Sequence, residues 1–144
     1  MDKQQLYQQI NEGMTHERFH SFERNLSLNK PFIAKKGGLR SVVPLLKDRH
    51  VVVCGAGPSL ESAYPHIRRI RERADVSIIA TDMAFKPLMR EGIVPHFAIS
   101  CETTPRDFFS GADSSGTVLL AFSCVCSRTV RSWKGEFHFY NWLL

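Results

Sequence analysis

Residues 51–61 read "VVVCGAGPSLE", with Gly55, Ala56, Gly57, Pro58 and Ser59 standing directly after an apolar run. A glycine turn between a strand and a helix presents free backbone N–H groups, and the helix N-terminus adds partial positive charge behind them. Together these suit phosphate, and glycine also lets a ligand approach the main chain closely. The alternative is a plain strand-to-helix loop in which the glycines serve geometry alone. The dinucleotide fingerprint wants a third Gly or Ala where Leu60 stands, and the P-loop wants a Gly-Lys-Ser/Thr ending that is missing here. Neither NAD binding nor a Walker-type ATPase is therefore expected. The Gly-x-Gly-Pro-Ser pattern that is left arises by chance roughly once in several hundred chains of this composition, which favours phosphate when the flanking elements fit. Pro58 sets a φ at which a helix can begin and gives up an N–H that the first turn leaves unpaired. Ser59 is able to reach a ligand or to cap the helix, and both roles stay open.

Other polar residues gather where apolar runs end. Thr81 and Asp82 follow "VSIIA"; Ser100, Cys101, Glu102, Thr103 and Thr104 close "HFAIS"; a further polar stretch begins at Ser123. In parallel α/β sheets ligands bind at the carboxyl ends of strands. Asp82 lies 25 positions after Gly57, near the distance at which a strand-end carboxylate takes a ribose hydroxyl; capping a helix is an equal reading. A competing motif is "HERFH", residues 16–20, which spells H-E-x-x-H. His16 and His20 with Glu17 would make a zinc protease, but no third histidine stands at metzincin spacing, and Glu23 occupies the position where a glycine is wanted. No zinc is expected, and Phe19 and Phe22 are expected to pack inward while His16 and His20 face water. Cys124 and Cys126 would share one face of a strand, where core packing outweighs metal binding.

These residues need elements to hold them. The chain has 144 residues, 43% of them hydrophobic, which suffices for one globular core. Residues 1–48 are polar with helical spacing at Leu6, Ile10, Met14, Phe19, Phe22 and Leu26, and form an N-terminal helical arm ending in the linker "NKPFIAKKGGL". Residues 49–144 carry five short continuous apolar runs, "HVVVC", "VSIIA", "HFAIS", "TVLLAFSC" and "FHFYNWLL". Continuous runs predict strands buried on both faces of a parallel sheet. Helical segments alternate with them, with Pro65 in the first turn of one helix and Gly92 stopping the next. The expected fold class is α/β, a Rossmann-like parallel sheet of about five strands behind an N-terminal helical arm. As an edge strand, "FHFYNWLL" needs cover, from the N-terminal helices or from a second copy in a homodimer.

The net charge of +5 suits anionic partners, but no basic run is interleaved with aromatics, so nucleic acid is not expected. No apolar stretch approaches the ~20 residues of a membrane span, and the polar start predicts no secretory signal. The four cysteines form no C-x-x-C pair and are expected to be reduced and buried in a cytoplasmic protein.

"VVVCGAGPSLE" followed by "IIATDMAFKPLMREGIVPHFAISCE" resembles the 6-hydroxymethylpterin diphosphokinase MptE-like family, which includes the bacterial motility accessory factors (Maf proteins) that glycosylate flagellin. Gly55, Gly57, Pro58, Ser59, Leu60, Asp82, Leu88, Gly92, Ile93 and Pro95 carry the resemblance, over about residues 25–123. The upstream "NLSLNKPFIAKKGGLRSVVPLL" resembles the segment that precedes this motif in the Maf branch. Bacterial sialyltransferases that use CMP-sugars carry a similar turn. His96 and Glu102 stand where the family pattern has Asp. Family members continue beyond "NWLL", so the resemblance implies a fragment or a shortened member, incomplete at its C-terminus. It further implies a transferase that handles a nucleotide or nucleotide-sugar. The Maf-like reading passes a CMP-activated nonulosonic acid to Ser or Thr of flagellin; the MptE-like reading passes diphosphate from ATP to a hydroxymethylpterin with Mg²⁺. Gly55 to Ser59 would cradle phosphates, with Asp82, Glu102 and Thr103 at the site and the two acids available for ribose or Mg²⁺. No residue is assigned as catalytic. A non-catalytic nucleotide-binding or interaction module is the third reading.

Overall fold

The computed structural model describes residues 2–106 and 108–141, with the backbone alone at 7, 10, 11 and 14–17. In chain order the elements are α1 (Lys3–Lys35), a 3-10 turn (Leu39–Ser41), α2 (Val43–Leu46), β1 (His50–Cys54), α3 (Ser59–Arg71), β2 (Val76–Thr81), α4 (Asp82–Arg90), β3 (Phe97–Ser100), β4 (Val118–Phe122), α5 (Ser127–Ser132) and β5 (Phe137–Tyr140). The five expected runs supply the five strands, all parallel, in the order β1-β2-β3-β4-β5. This is a Rossmann-like α/β fold with an N-terminal helix.

Sequential order has a consequence for the layers. Right-handed crossovers then all fall on one face of the sheet. The register puts Cys54, Ala80, Ala98, Leu119 and Phe137 in one row. That row joins Leu60 and Ile67 of α3, Phe85 and Leu88 of α4, and Val130 of α5 in the main core. Phe85 is fully buried and meets Phe109 and Trp133 at ring separations of 5.3 and 5.6 Å. Phe109 comes from the irregular β3–β4 connection, which fills the space between α4 and α5. The opposite face has a thinner cover: Val42 and Leu46 pack on Phe97, Leu120, Ile79 and Ile99.

The expectation that every strand is buried on both faces fails at β1. Val51 and Val53 are 43% and 63% exposed, because β1 is an edge strand whose second face lies outside the small patch under α2. The other edge is covered. Gly38 forms a parallel bridge to Phe139, and the Gly37 carbonyl accepts from the Phe139 N–H at 3.4 Å. The edge cover for β5 therefore comes from the non-helical stretch after α1 rather than from the expected helices themselves.

Three further local expectations are corrected. The linker is helical as far as Lys35, with Pro31 inside α1; Phe32 and Ile33 pack on the core and hold the helix together across the missing N–H. Phe19 is half-exposed, not inward, while Phe22 is partly buried against Phe122 at 6.2 Å. Pro65 sits mid-helix, since α3 starts six residues earlier at Ser59. Gly92 does stop α4, with φ +69°.

Candidate functional site at the carboxyl ends of the strands

β1 ends at Cys54 and α3 begins at Ser59, so Gly55 to Pro58 form the strand-to-helix turn that the sequence indicates. All five residues from Gly55 to Ser59 are exposed. Neither Gly55 nor Gly57 has a φ in the left-handed region, and a Cβ built on Gly55 meets nothing within 4 Å. One built on Gly57 meets only the Ser59 Oγ, at 4.0 Å. Neither backbone strain nor internal crowding demands glycine at these two positions. Pro58 adopts φ −56° and ψ −29°, already helical, and no side chain caps the helix. The Leu60 N–H turns back to the Gly57 carbonyl at 3.0 Å. The Ala56 and Gly57 N–H groups and the Ser59 hydroxyl have no hydrogen-bond partner among the described residues.

Beside this turn stands the end of β2, since Cys54 pairs with Ala80. Asp82 opens α4; its Oδ1 accepts from the Met83 N–H at 2.8 Å and its Oδ2 from the Ser100 hydroxyl at 3.3 Å. The helix-end role of Asp82 is thus present, with Oδ2 lightly engaged. The end of β3 follows. Glu102 Oε1 accepts from the Thr104 N–H and hydroxyl at 2.8 and 2.7 Å, while Oε2 lies 3.7 Å from Arg106 Nε. Burial alone raises the Glu102 carboxyl, but the Thr104 bonds, with Arg106 and Arg18 behind them, outweigh it and hold the group below its usual range. Burial raises the Cys101 thiol, and Asp82 and Glu102 raise it further. Burial likewise pushes the Tyr140 phenol up to about 12, helped by Cys101 and Asp82. Cys101 is exposed, against the expectation that all four cysteines are buried.

Thr103 is buried. Its carbonyl accepts from Asn25 Nδ2 at 2.8 Å, and its hydroxyl has no partner. Cys124 and Cys126 lie beyond β4, not on a strand face as expected, and both are buried free thiols. His16 and Glu17 of "HERFH" have side chains outside the described residues, and His20 is exposed. Among the described residues no group of three or more His, Cys, Asp and Glu is placed to hold a metal. No described helix is long and apolar enough to cross a membrane.

His96 precedes β3 at the amino end of the sheet, where its Nδ1 accepts from the Ile78 N–H at 3.0 Å. It stands a strand's length from the glycine turn. Arg68 and Arg71 bond the carbonyls of Glu91 and Val94 at 2.8 and 2.7 Å, which occupies the basic end of α3. A groove of about 550 Å³ between the β3–β4 connection and α5, over Phe109 and Trp133, is lined by none of Gly55–Ser59, Asp82, Glu102 and Thr103.

Sequence reasoning did not assign α1 to this site. Asn25 Nδ2 also donates to the Cys124 carbonyl at 3.1 Å, and Asn29 Nδ2 donates to those of Ser123 and Val125 at 3.0 and 2.8 Å. Two asparagines four positions apart in a polar helix were the available signal, since that spacing aligns them on one face.

The fold is thus a Rossmann-like sheet with an open Gly-x-Gly-Pro-Ser turn at the head of α3 and an acid just beyond each of the next two strands. A family model described as 6-hydroxymethylpterin diphosphokinase MptE-like matches residues 24–142, through β5. The chain belongs to that family. No curated protein matches it.

Proposed function

We propose that the chain binds a nucleotide or nucleotide-sugar through its phosphates at Gly55–Ser59 and serves group transfer from it. The observation that carries this is the pair of glycines that the chain's own geometry does not require. Where backbone conformation and packing both admit a side chain, its absence leaves room for something from outside. The Ala56 and Gly57 N–H groups and the Ser59 hydroxyl supply donors, and the N-terminus of the 13-residue α3 supplies charge. Asp82 is the carboxylate for a ribose hydroxyl or for Mg²⁺, which takes one or two carboxylates together with phosphate oxygens. Glu102 suits that use less well, because Thr104 already fills its Oε1.

Within the family, the Maf-like reading has a CMP-activated nonulosonic acid as donor and a Ser or Thr of flagellin as acceptor. It rests on the segment around Asn25 and Asn29, which here docks on the strand ends. The family's own description favours the other reading, diphosphate transfer from ATP to a hydroxymethylpterin. Titration of the folded protein with CMP and ATP, each with and without Mg²⁺, separates them. Binding should be lost in Gly57→Val, whose side chain would occupy the cradle. Equal binding by wild type and Gly57→Val, or a phosphate found away from this turn, rejects the proposal.

A further inference from the structure

The β3–β4 connection and α5 are tied together at both ends. The Cys126 N–H, just ahead of α5, donates to the Glu102 carbonyl at 2.9 Å. Beyond α5 the Lys134 N–H donates to the buried Ser114 hydroxyl oxygen at 2.9 Å, and the Trp133 indole donates to the Thr117 carbonyl at 3.2 Å. The groove of about 550 Å³ between these two walls is therefore held open by the fold itself, and its volume is that of a small-molecule site.

Its chemistry divides into an apolar floor and a charged rim. Phe109 and Trp133 line the floor, with ring centroids 5.2 Å apart and planes at 89°, and Phe109 is only half-buried. A ligand ring extends such an edge-to-face cluster and covers the aromatic surface left open. Three cations, Arg106, Arg128 and Lys134, and one carboxylate, Asp113, stand on the rim. Asp113 offsets Lys134 at 3.9 Å, and Glu102, outside the groove, offsets Arg106 at 3.7 Å. Arg128 is exposed and has no carboxylate partner among the described residues. The balance is one uncompensated positive charge beside an aromatic floor, which complements a monoanion and not a polyphosphate.

We propose that this groove is a second ligand site, which takes a small aromatic acid with its ring on Phe109 and Trp133 and its single carboxylate on the Arg128 guanidinium. The forked donors of a guanidinium match a carboxylate in geometry as well as charge. The site is separate from the one proposed for the nucleotide. It meets the strand ends only at Glu102 beyond β3, two strands from β1 and its glycine turn, or roughly 10 Å at the usual strand spacing. It stands whether or not the phosphate reading of Gly55–Ser59 does.

The test titrates the folded protein calorimetrically with 1-naphthoate and with its neutral counterpart 1-naphthamide. Wild type, Arg128→Ala, Arg128→Lys, Gly57→Val and the control Arg131→Ala are compared after circular dichroism has checked folding. Arg131 is on the same helix but does not line the groove. The expected result is saturable 1-naphthoate binding by wild type, with the amide roughly tenfold weaker or worse. Arg128→Ala should weaken the acid by a similar factor and Arg128→Lys by less, while Arg131→Ala and Gly57→Val bind as wild type does. No saturable binding by wild type, equal affinity for acid and amide, or wild-type affinity in Arg128→Ala each overturns the proposal. Displacement of 1-naphthoate from Gly57→Val by ATP would make the groove the nucleotide's own site, and would overturn this inference and the turn reading together.

Discussion

The amide nitrogen of Asn29 donates to the Val125 carbonyl at 2.8 Å across 96 positions of sequence. The same nitrogen holds the Ser123 carbonyl, so one fully buried side chain ties α1 to the turn after β4. Its own Oδ1 has no partner, and the contact therefore depends on donation alone.

Asn29→Ala should destabilise the protein by about 2–4 kcal/mol, because two hydrogen bonds disappear and their carbonyls are left buried. Asn29→Asp should cost more, since a carboxylate places acceptors against acceptors. Urea unfolding of the two variants beside wild type measures the order.

Three glycines should respond differently to alanine. Gly57→Ala should change stability by no more than about 0.5 kcal/mol, as its φ is ordinary and its surroundings are open. Gly92→Ala should cost about 1 kcal/mol for its φ of +69°. Gly135→Ala should be the worst, because the new Cβ presses on the carbonyls of Thr117 and Ser114. A stability for Gly57→Ala as poor as that for Gly92→Ala would contradict the geometry of the turn.

Acid should weaken the fold in two windows. Burial, then Arg71 and Arg49, lower the His96 pKa, so the folded state favours neutral imidazole. Stability from His96 is present above the ordinary histidine range and is lost as pH falls below about 6.5. The lowered Glu102 pKa makes its contribution present above the ordinary carboxylate range and lost as pH falls further, below about 4.5. His96→Gln, whose amide oxygen can still accept from the Ile78 N–H, should flatten the upper window, and Glu102→Gln the lower one. Unfolding midpoints from pH 7 downward report both.

Among the four free cysteines only Cys101 is exposed. A thiol reagent should therefore titrate one group in the native protein and four after unfolding. The native reaction should be slow near neutral pH, because burial and the neighbouring acids keep Cys101 protonated. Rapid modification of more than one thiol would contradict the burial of Cys54, Cys124 and Cys126.

Strands and the glycine turn were legible because their signals are local. "HVVVC" and "VSIIA" are apolar and β-branched, and Gly55 to Ser59 follow at once. Strand order was not legible, and with it went the prediction that Val51 and Val53 are covered: nothing within "HVVVC" records which neighbours it has. Pro31 read as a helix breaker because its local penalty is visible, whereas the packing of Phe32 and Ile33 that overrides it comes from distant residues. Asn25 and Asn29 looked like ordinary polar positions of an arm. Their meaning lies in carbonyls 78 to 99 positions away.

The strand order also sets a timetable. Each strand pairs with its successor in the chain, so the sheet can grow by short loop closures that cost little entropy. The helix α1 is the exception. It leaves the ribosome before the strands, yet its anchoring carbonyls at Thr103, Ser123, Cys124 and Val125 exist only once β3 and β4 are in place. An element made before every strand is thus secured after most of them, and until then the carboxyl ends of β3 and β4 lack their covering helix.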